Sequence, residues 1–199
     1  MDDGRVRVSC AGLCRIRDDD GRYLLALNYD RLTRGVRVYT PLGGGLEYHP
    51  PDLLARFDAE PENPGGRELR LYLPVARFPE FRMWFMQRIE RETDPFRELR
   101  EELVEELGVV EALRRSDVAF EGVRRLDAER VTDRSGAEGL STRYLLEIFD
   151  VRFTSSAVRA ALTSLPADGA LRWITPTELD AGRTDDGADV EASALLEKS

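Results

Sequence analysis

Histidine is almost missing from this chain. With His49 alone, a Ser-His-Asp triad or a histidine-ligated zinc centre lacks the residues it needs. Cysteine is nearly as scarce. Cys10 and Cys14 stand in what reads as the first strand, too few for a disulfide framework and without companion ligands for zinc. Buried thiols in a reducing cytosol are the expectation. No apolar run approaches the roughly 20 residues that span a bilayer, and the acidic opening Met1-Asp-Asp-Gly-Arg5 predicts no secretory signal. The expected location is therefore cytoplasmic, with no membrane partner. Positive charge is also in deficit: the formal net charge is −9, which disfavours bulk nucleic-acid binding. A small phosphorylated substrate stays compatible with that charge if a cation mediates the contact. The chemistry left to this chain runs on carboxylates, arginines and metal.

What is present suits a folded domain. The chain has 199 residues, 42 % hydrophobic and 34 % charged, enough for one core with an insertion. Residues 5–17 alternate in part and read as a strand. Asp18-Asp-Asp-Gly21 turns it into a second strand, Tyr23 to Tyr29, and Val36 to Thr40 is a third. Residues 48–92 read as an insertion: a short helix from Asp52 to Phe57, a strand at Leu69–Pro74, and a helix over Pro79–Arg91. Phe81, Trp84 and Phe85 recur there at helical spacing, as core residues do. Strands follow at 118–132, 143–153 and 171–174, with a short helix over 157–165 between the last two. Thr175-Pro-Thr-Glu178 is a capping box with proline in the first turn. These hairpins argue against a doubly wound parallel sheet. The class expected is mixed α/β (α+β), as a single domain over 1–199.

The segment Phe96 to Gly108 is the chemical centre of the sequence. Asp94-Pro95 starts a helix and Gly108 stops it. Leu99, Leu103 and Leu107 form an apolar seam with Phe96, while Glu98, Glu102, Glu105 and Glu106 share another face. From charge alone, this is a solvated face partly balanced by Arg97 and Arg100. As a site, converging carboxylates make an oxygen cage suited to Mg²⁺ or Mn²⁺. Upstream, Pro41-Leu-Gly-Gly-Gly-Leu-Glu47 frees the backbone to approach a ligand closely.

Taken together, Gly43-Gly-Gly-Leu-Glu47 and Glu102-Leu-Val-Glu-Glu-Leu-Gly-Val109 resemble the Nudix box. The late Arg172-Trp-Ile174 and Thr175-Pro-Thr-Glu-Leu179 look similar to the same superfamily. Two positions depart from it. Glu101 stands where an arginine precedes the first metal-binding glutamate, with Arg100 one place early, and Thr93 stands where a glutamate lies eight positions before that arginine. In the family those two residues help hold the loop on the helix. The segment 48–92 also lengthens the loop between glycines and helix. That segment, with the Arg91-to-Leu99 run after it, looks similar to Nudix domains associated with bacterial nucleotide-second-messenger defence systems.

The resemblance implies a Nudix-like α/β/α sandwich with a mixed sheet and an inserted strand–helix element. It implies Mg²⁺- or Mn²⁺-dependent hydrolysis of a diphosphate in a nucleotide or a nucleoside-diphosphate-linked small molecule. Glu102, Glu105 and Glu106 would be metal ligands, with Glu105 and Glu106 catalytic. Gly44, Gly45, Glu47 and Arg37 are candidate substrate contacts, and Tyr29, Tyr39 and Tyr144 are candidate platforms for a base. The general base is a box glutamate, Glu138 or Glu147. Two other readings stay open: a non-hydrolytic nucleotide sensor, favoured by Glu101 and Thr93, and an interaction protein that uses 48–92 as its contact. The partner expected is a small-molecule nucleotide, with a homodimer left open.

Overall fold

In chain order the strands are β1 (Arg5–Ile16), β2 (Tyr23–Leu27), β3 (Val38–Pro41), β4 (Gly43–Gly45), β5 (Glu60–Pro61), β6 (Arg70–Pro74), β7 (Val118–Val131), β8 (Ser141–Phe153), β9 (Leu171–Ile174) and β10 (Asp189–Val190). The helices are α1 (Tyr29–Thr33), α2 (Leu53–Phe57), α3 (Phe78–Gln87), α4 (Phe96–Arg100), α5 (Ser156–Thr163) and α6 (Pro176–Ala181). The structure, a computed structural model, describes residues 4–166 and 168–196. The mixed α/β class is as the sequence implies.

Contacts divide the chain into two compact units. One comprises the residues up to Gly12, Gly44–Pro95 and Arg125–Glu147; the other comprises Leu13–Gly43, Phe96–Arg124 and the residues from Ile148 onward. β1, β7 and β8 supply residues to both. The long sheet runs β5-β6-β1-β8-β7, with β4 also paired to β1.

In the first unit, the segment 48–92 is woven into the sheet. β6 lies antiparallel to β1, with Val6 opposite Leu73 and Val8 opposite Leu71, and β5 adds beyond it. Alternation along β6 buries Leu71 and Leu73, as one covered sheet face demands. The buried set includes Val8, Cys10, Leu46, Phe57, Phe81, Trp84, Phe85 and Leu145. The aromatics of α3 are core: Phe57 meets Phe81 edge-on with ring centroids 5.4 Å apart, a favoured arrangement for aromatic pairs. α3 stops four residues short of the Arg91 expected, because Arg88 turns left-handed at φ +58°.

In the second unit, a four-stranded sheet is ordered β10-β3-β2-β9. β2 is antiparallel to both β3 and β9, while β10 runs parallel to β3, so the sheet is mixed. Its core includes Cys14, Ile16, Leu24, Leu42, Leu99, Leu103, Phe149, Val151, Leu162 and Leu171. The predicted capping box at α6 is present: Thr175 Oγ1 accepts from Glu178 N–H, and the Glu178 carboxylate accepts from Thr175 N–H. Tyr29, expected to end a strand, instead opens α1, whose first turn is capped by the Asn28 side chain. Among the described residues no helix is long and apolar enough to cross a membrane.

Candidate functional site

The acidic helix forms where the sequence puts it, but not with the winding assumed. α4 continues directly into a π-helical segment, Glu101–Glu106, in which the Leu107 N–H donates to the Glu102 carbonyl at 2.9 Å. Bonds of the i→i+5 kind turn the chain less per residue than α bonds do, and they recur at functional sites. Leu99 and Leu103 are fully buried as the seam predicts, and Gly108 ends the element at φ +59°. Glu98 and Glu106 still lie close enough to Glu102 to act on its carboxyl. In the wider winding the chain has turned less far after three places, so Glu105 stands at a larger angle from Glu102 than it would on an α-helix.

Glu102 is the most constrained of the three. Its Oε2 accepts from the Gly43 N–H at 2.7 Å. Gly43 holds φ +103°, which only glycine adopts without strain. Burial pushes the Glu102 carboxyl up to about 8; the Gly43 amide pulls the other way, and Glu98, Glu106 and Glu101 add to the rise. Among the described residues no arginine pairs with Glu102 or Glu106. Glu105, half exposed, is held by Arg100 at 2.7 Å. Glu98 lies 2.6 Å from Arg97, which also reaches Glu101 at 3.3 Å.

No three His, Cys, Asp or Glu side chains among the described residues are gathered closely enough to hold a metal ion. The chemistry of the donors still fits a hard divalent cation. They are all carboxylate oxygens, and Glu102, partly buried, has the like charges of Glu98, Glu101 and Glu106 near it and accepts from one backbone amide.

The remaining candidates are placed as follows. Gly44 and Gly45 form β4 with Gly43. A side chain at Gly45 would come 3.3 Å from the Glu68 carboxylate. The Glu47 N–H donates to the Glu92 carboxylate at 2.8 Å, and the Glu92 N–H returns a bond to the Glu47 carbonyl at 2.9 Å. Arg37 is engaged at both ends of its guanidinium, by Asp186 at 2.6 Å and the Tyr39 hydroxyl at 3.2 Å. Tyr39 is fully buried and donates to the Gly169 carbonyl, so its ring is core and no platform for a base. Tyr29 is exposed. Glu138 accepts from the Gly136 N–H within its own loop.

Glu147, a candidate general base on the sequence, is neither exposed nor unengaged. It is 2 % exposed, and its oxygens accept from Arg91 and Arg125. A sequence signal for this existed: Leu145, Glu147, Phe149, Val151 and Phe153 lie at period two on β8, and all are buried. Sequence reading also passed over Glu92. A cleft of about 470 Å³ in the second unit, lined by Arg15, Arg17, Asp18, Asp19, Asp150 and Arg152 among others, was unforeseen too. Its charges are partly spent on each other, since Arg15 grips both oxygens of Asp150 at 2.5 and 2.7 Å.

No curated protein matches the chain. A family model of the SMODS-associated NUDIX domain matches residues 5–196, which takes in the glycine strand, the acidic helix and the 48–92 segment alike. The chain belongs to the SMODS-associated NUDIX domain family.

Proposed function

We propose that this chain is a Mg²⁺- or Mn²⁺-dependent hydrolase that cleaves the diphosphate of a nucleotide or of a nucleoside-diphosphate-linked small molecule. One observation carries the reading. Glu102 is partly buried, pinned by the Gly43 amide, and close to the like charges of Glu98, Glu101 and Glu106. A cation relieves that arrangement, and membership of a NUDIX family supports hydrolase-type or nucleotide-related chemistry.

Glu102, Glu105 and Glu106 would hold the ion. When bound, a divalent ion neutralises diphosphate oxygens and acidifies a water. The chain's own part is positioning. The Gly43 N–H fixes Oε2 of Glu102. Arg100 balances the charge of Glu105. The net charge of −9 would repel an anionic substrate at long range, and a bound cation would offset that repulsion.

A nucleotide-binding module without turnover is the second reading. It is favoured by the Arg100–Glu105 pair and by the absence of a gathered carboxylate triad among the described residues. The two readings separate in a metal-dependent hydrolysis screen over dinucleoside polyphosphates, ADP-ribose, NAD-type dinucleotides and nucleoside triphosphates. Glu105→Gln and Glu106→Gln run alongside the wild type. Turnover lost in both variants supports the hydrolase; nucleotide binding without turnover supports the sensor. If neither metal nor nucleotide binds, the metal-site reading itself is wrong.

A further inference from the structure

The acidic helix holds one residue more than the pattern it resembles. Counted back from Glu102, the arginine and glutamate of the box fall on Glu101 and Thr93. Counted from Arg100 instead, a glutamate stands eight positions earlier, at Glu92. Both halves of the pattern are intact and out of step by one, and the step falls between Arg100 and Glu102.

The winding changes at the same place. The helix is α up to Arg100 and π from Glu101. A π turn closes its hydrogen bond over five residues where an α turn uses four, so it is the form in which a helix absorbs one residue too many. We propose that Glu101 is that surplus residue, that the π segment accommodates it, and that Glu92 and Arg100 are the box glutamate and arginine, present and displaced by one in number. The proposal rests on the metal-site reading for the role of Glu102.

Two contacts agree with this register. Arg100 pairs with Glu105 at 2.7 Å across five positions, the neighbour spacing of a π turn, whereas α-helical neighbours lie three or four apart. Of the adjacent glutamates, Glu102 meets the Gly43 amide while Glu101 rests against Arg97. Glu92, for its part, binds the backbone of Glu47, just beyond the three glycines. That contact suits a residue whose task is to tie down a loop.

The decisive variant removes one of the two adjacent glutamates; deleting either gives the same sequence. In the metal-free protein, hydrogen exchange of the amides from Leu103 to Leu107 should slow several-fold as a continuous α ladder forms, with the melting temperature held or raised. Mn²⁺ affinity, titrated by electron paramagnetic resonance, should stay within about threefold of wild type. Glu101→Gln should do the same, while Glu102→Gln should weaken Mn²⁺ by about tenfold or more. Unfolding of the deletion variant, unchanged exchange, or a Glu101→Gln loss equal to that of Glu102→Gln would overturn the proposal. If the wild type itself binds no Mn²⁺, the metal-site reading fails, and the exchange measurement still decides the register.

Discussion

Arg91 and Glu147 form a two-pronged ion pair inside the first unit. Nη1 and Nη2 lie 3.1 and 3.0 Å from the two carboxylate oxygens, with side chains 0 % and 3 % exposed. The guanidinium sits 3.7 Å from the centre of the Phe85 ring, and its Nε donates to the Phe85 carbonyl. Burial pulls the Arg91 guanidinium below its ordinary value, and Glu147 opposes the shift. Removing one partner strands the other charge away from water. Glu147→Ala should therefore cost about 3–5 kcal/mol in urea unfolding. Arg125→Ala, which cuts a half-exposed contact to the same carboxylate, should cost about 1 kcal/mol or less. A small loss at Glu147 would mean that the pair adds little.

Acid should stabilise the metal-free protein through Glu102. Its folded-state value of about 8 lies above the ordinary glutamate value of 4.5, so the folded form holds a proton that the unfolded form has lost. That contribution is complete below about 4.5 and disappears as pH rises through about 8, a swing on the order of a few kcal/mol. Melting temperatures across pH 5–9 should show the slope in the wild type and a flatter one in Glu102→Gln. Saturating Mg²⁺ should stabilise more at high pH, where no proton has to leave. Equal slopes in both proteins would assign the effect to other groups.

Gly43→Ala should disturb the site without touching a carboxylate. At φ +103° a side chain costs about 1–3 kcal/mol, and relaxation would turn the amide away from Glu102. Lower stability together with weaker Mn²⁺ binding is the expected pair of results. Stability loss with Mn²⁺ affinity unchanged would show that the amide does not position Glu102.

Both thiols should be silent in the native protein. Cys10 and Cys14 are fully buried, and burial pushes the Cys10 thiol up, only partly countered by Arg91; the thiolate is the reactive form. Titration with a chromogenic disulfide should release no signal before unfolding and two equivalents after it. Rapid native labelling of either cysteine would contradict the packing.

Much of the fold was legible because burial leaves a period. β6 alternates, Leu99 and Leu103 recur at helical spacing, and Thr175 with Glu178 announces its own helix start. What stayed hidden was of a different kind. A five-residue helix at Tyr29–Thr33 is too short to show a face, and the π segment keeps the residue types of an α-helix while changing their direction. Glu147 hid because a carboxylate on the covered face of a strand contradicts the usual binary pattern, and only its arginine partners, 22 and 56 positions away, make sense of it. At the site, residue identity pointed to the helix, while the Gly43–Glu102 contact across 59 positions needed the fold.

The division of β1 between both units bears on synthesis. Arg7 on that strand bonds Thr142 on β8, 135 positions later. At roughly 5–20 residues per second on the ribosome, the first strand waits on the order of ten seconds for that partner to be made. Through that interval Val8 and Cys10 lack part of their final cover. Slowing translation after residue 16 should increase the demand of the nascent chain for chaperones, while slowing it after residue 153 should leave that demand unchanged.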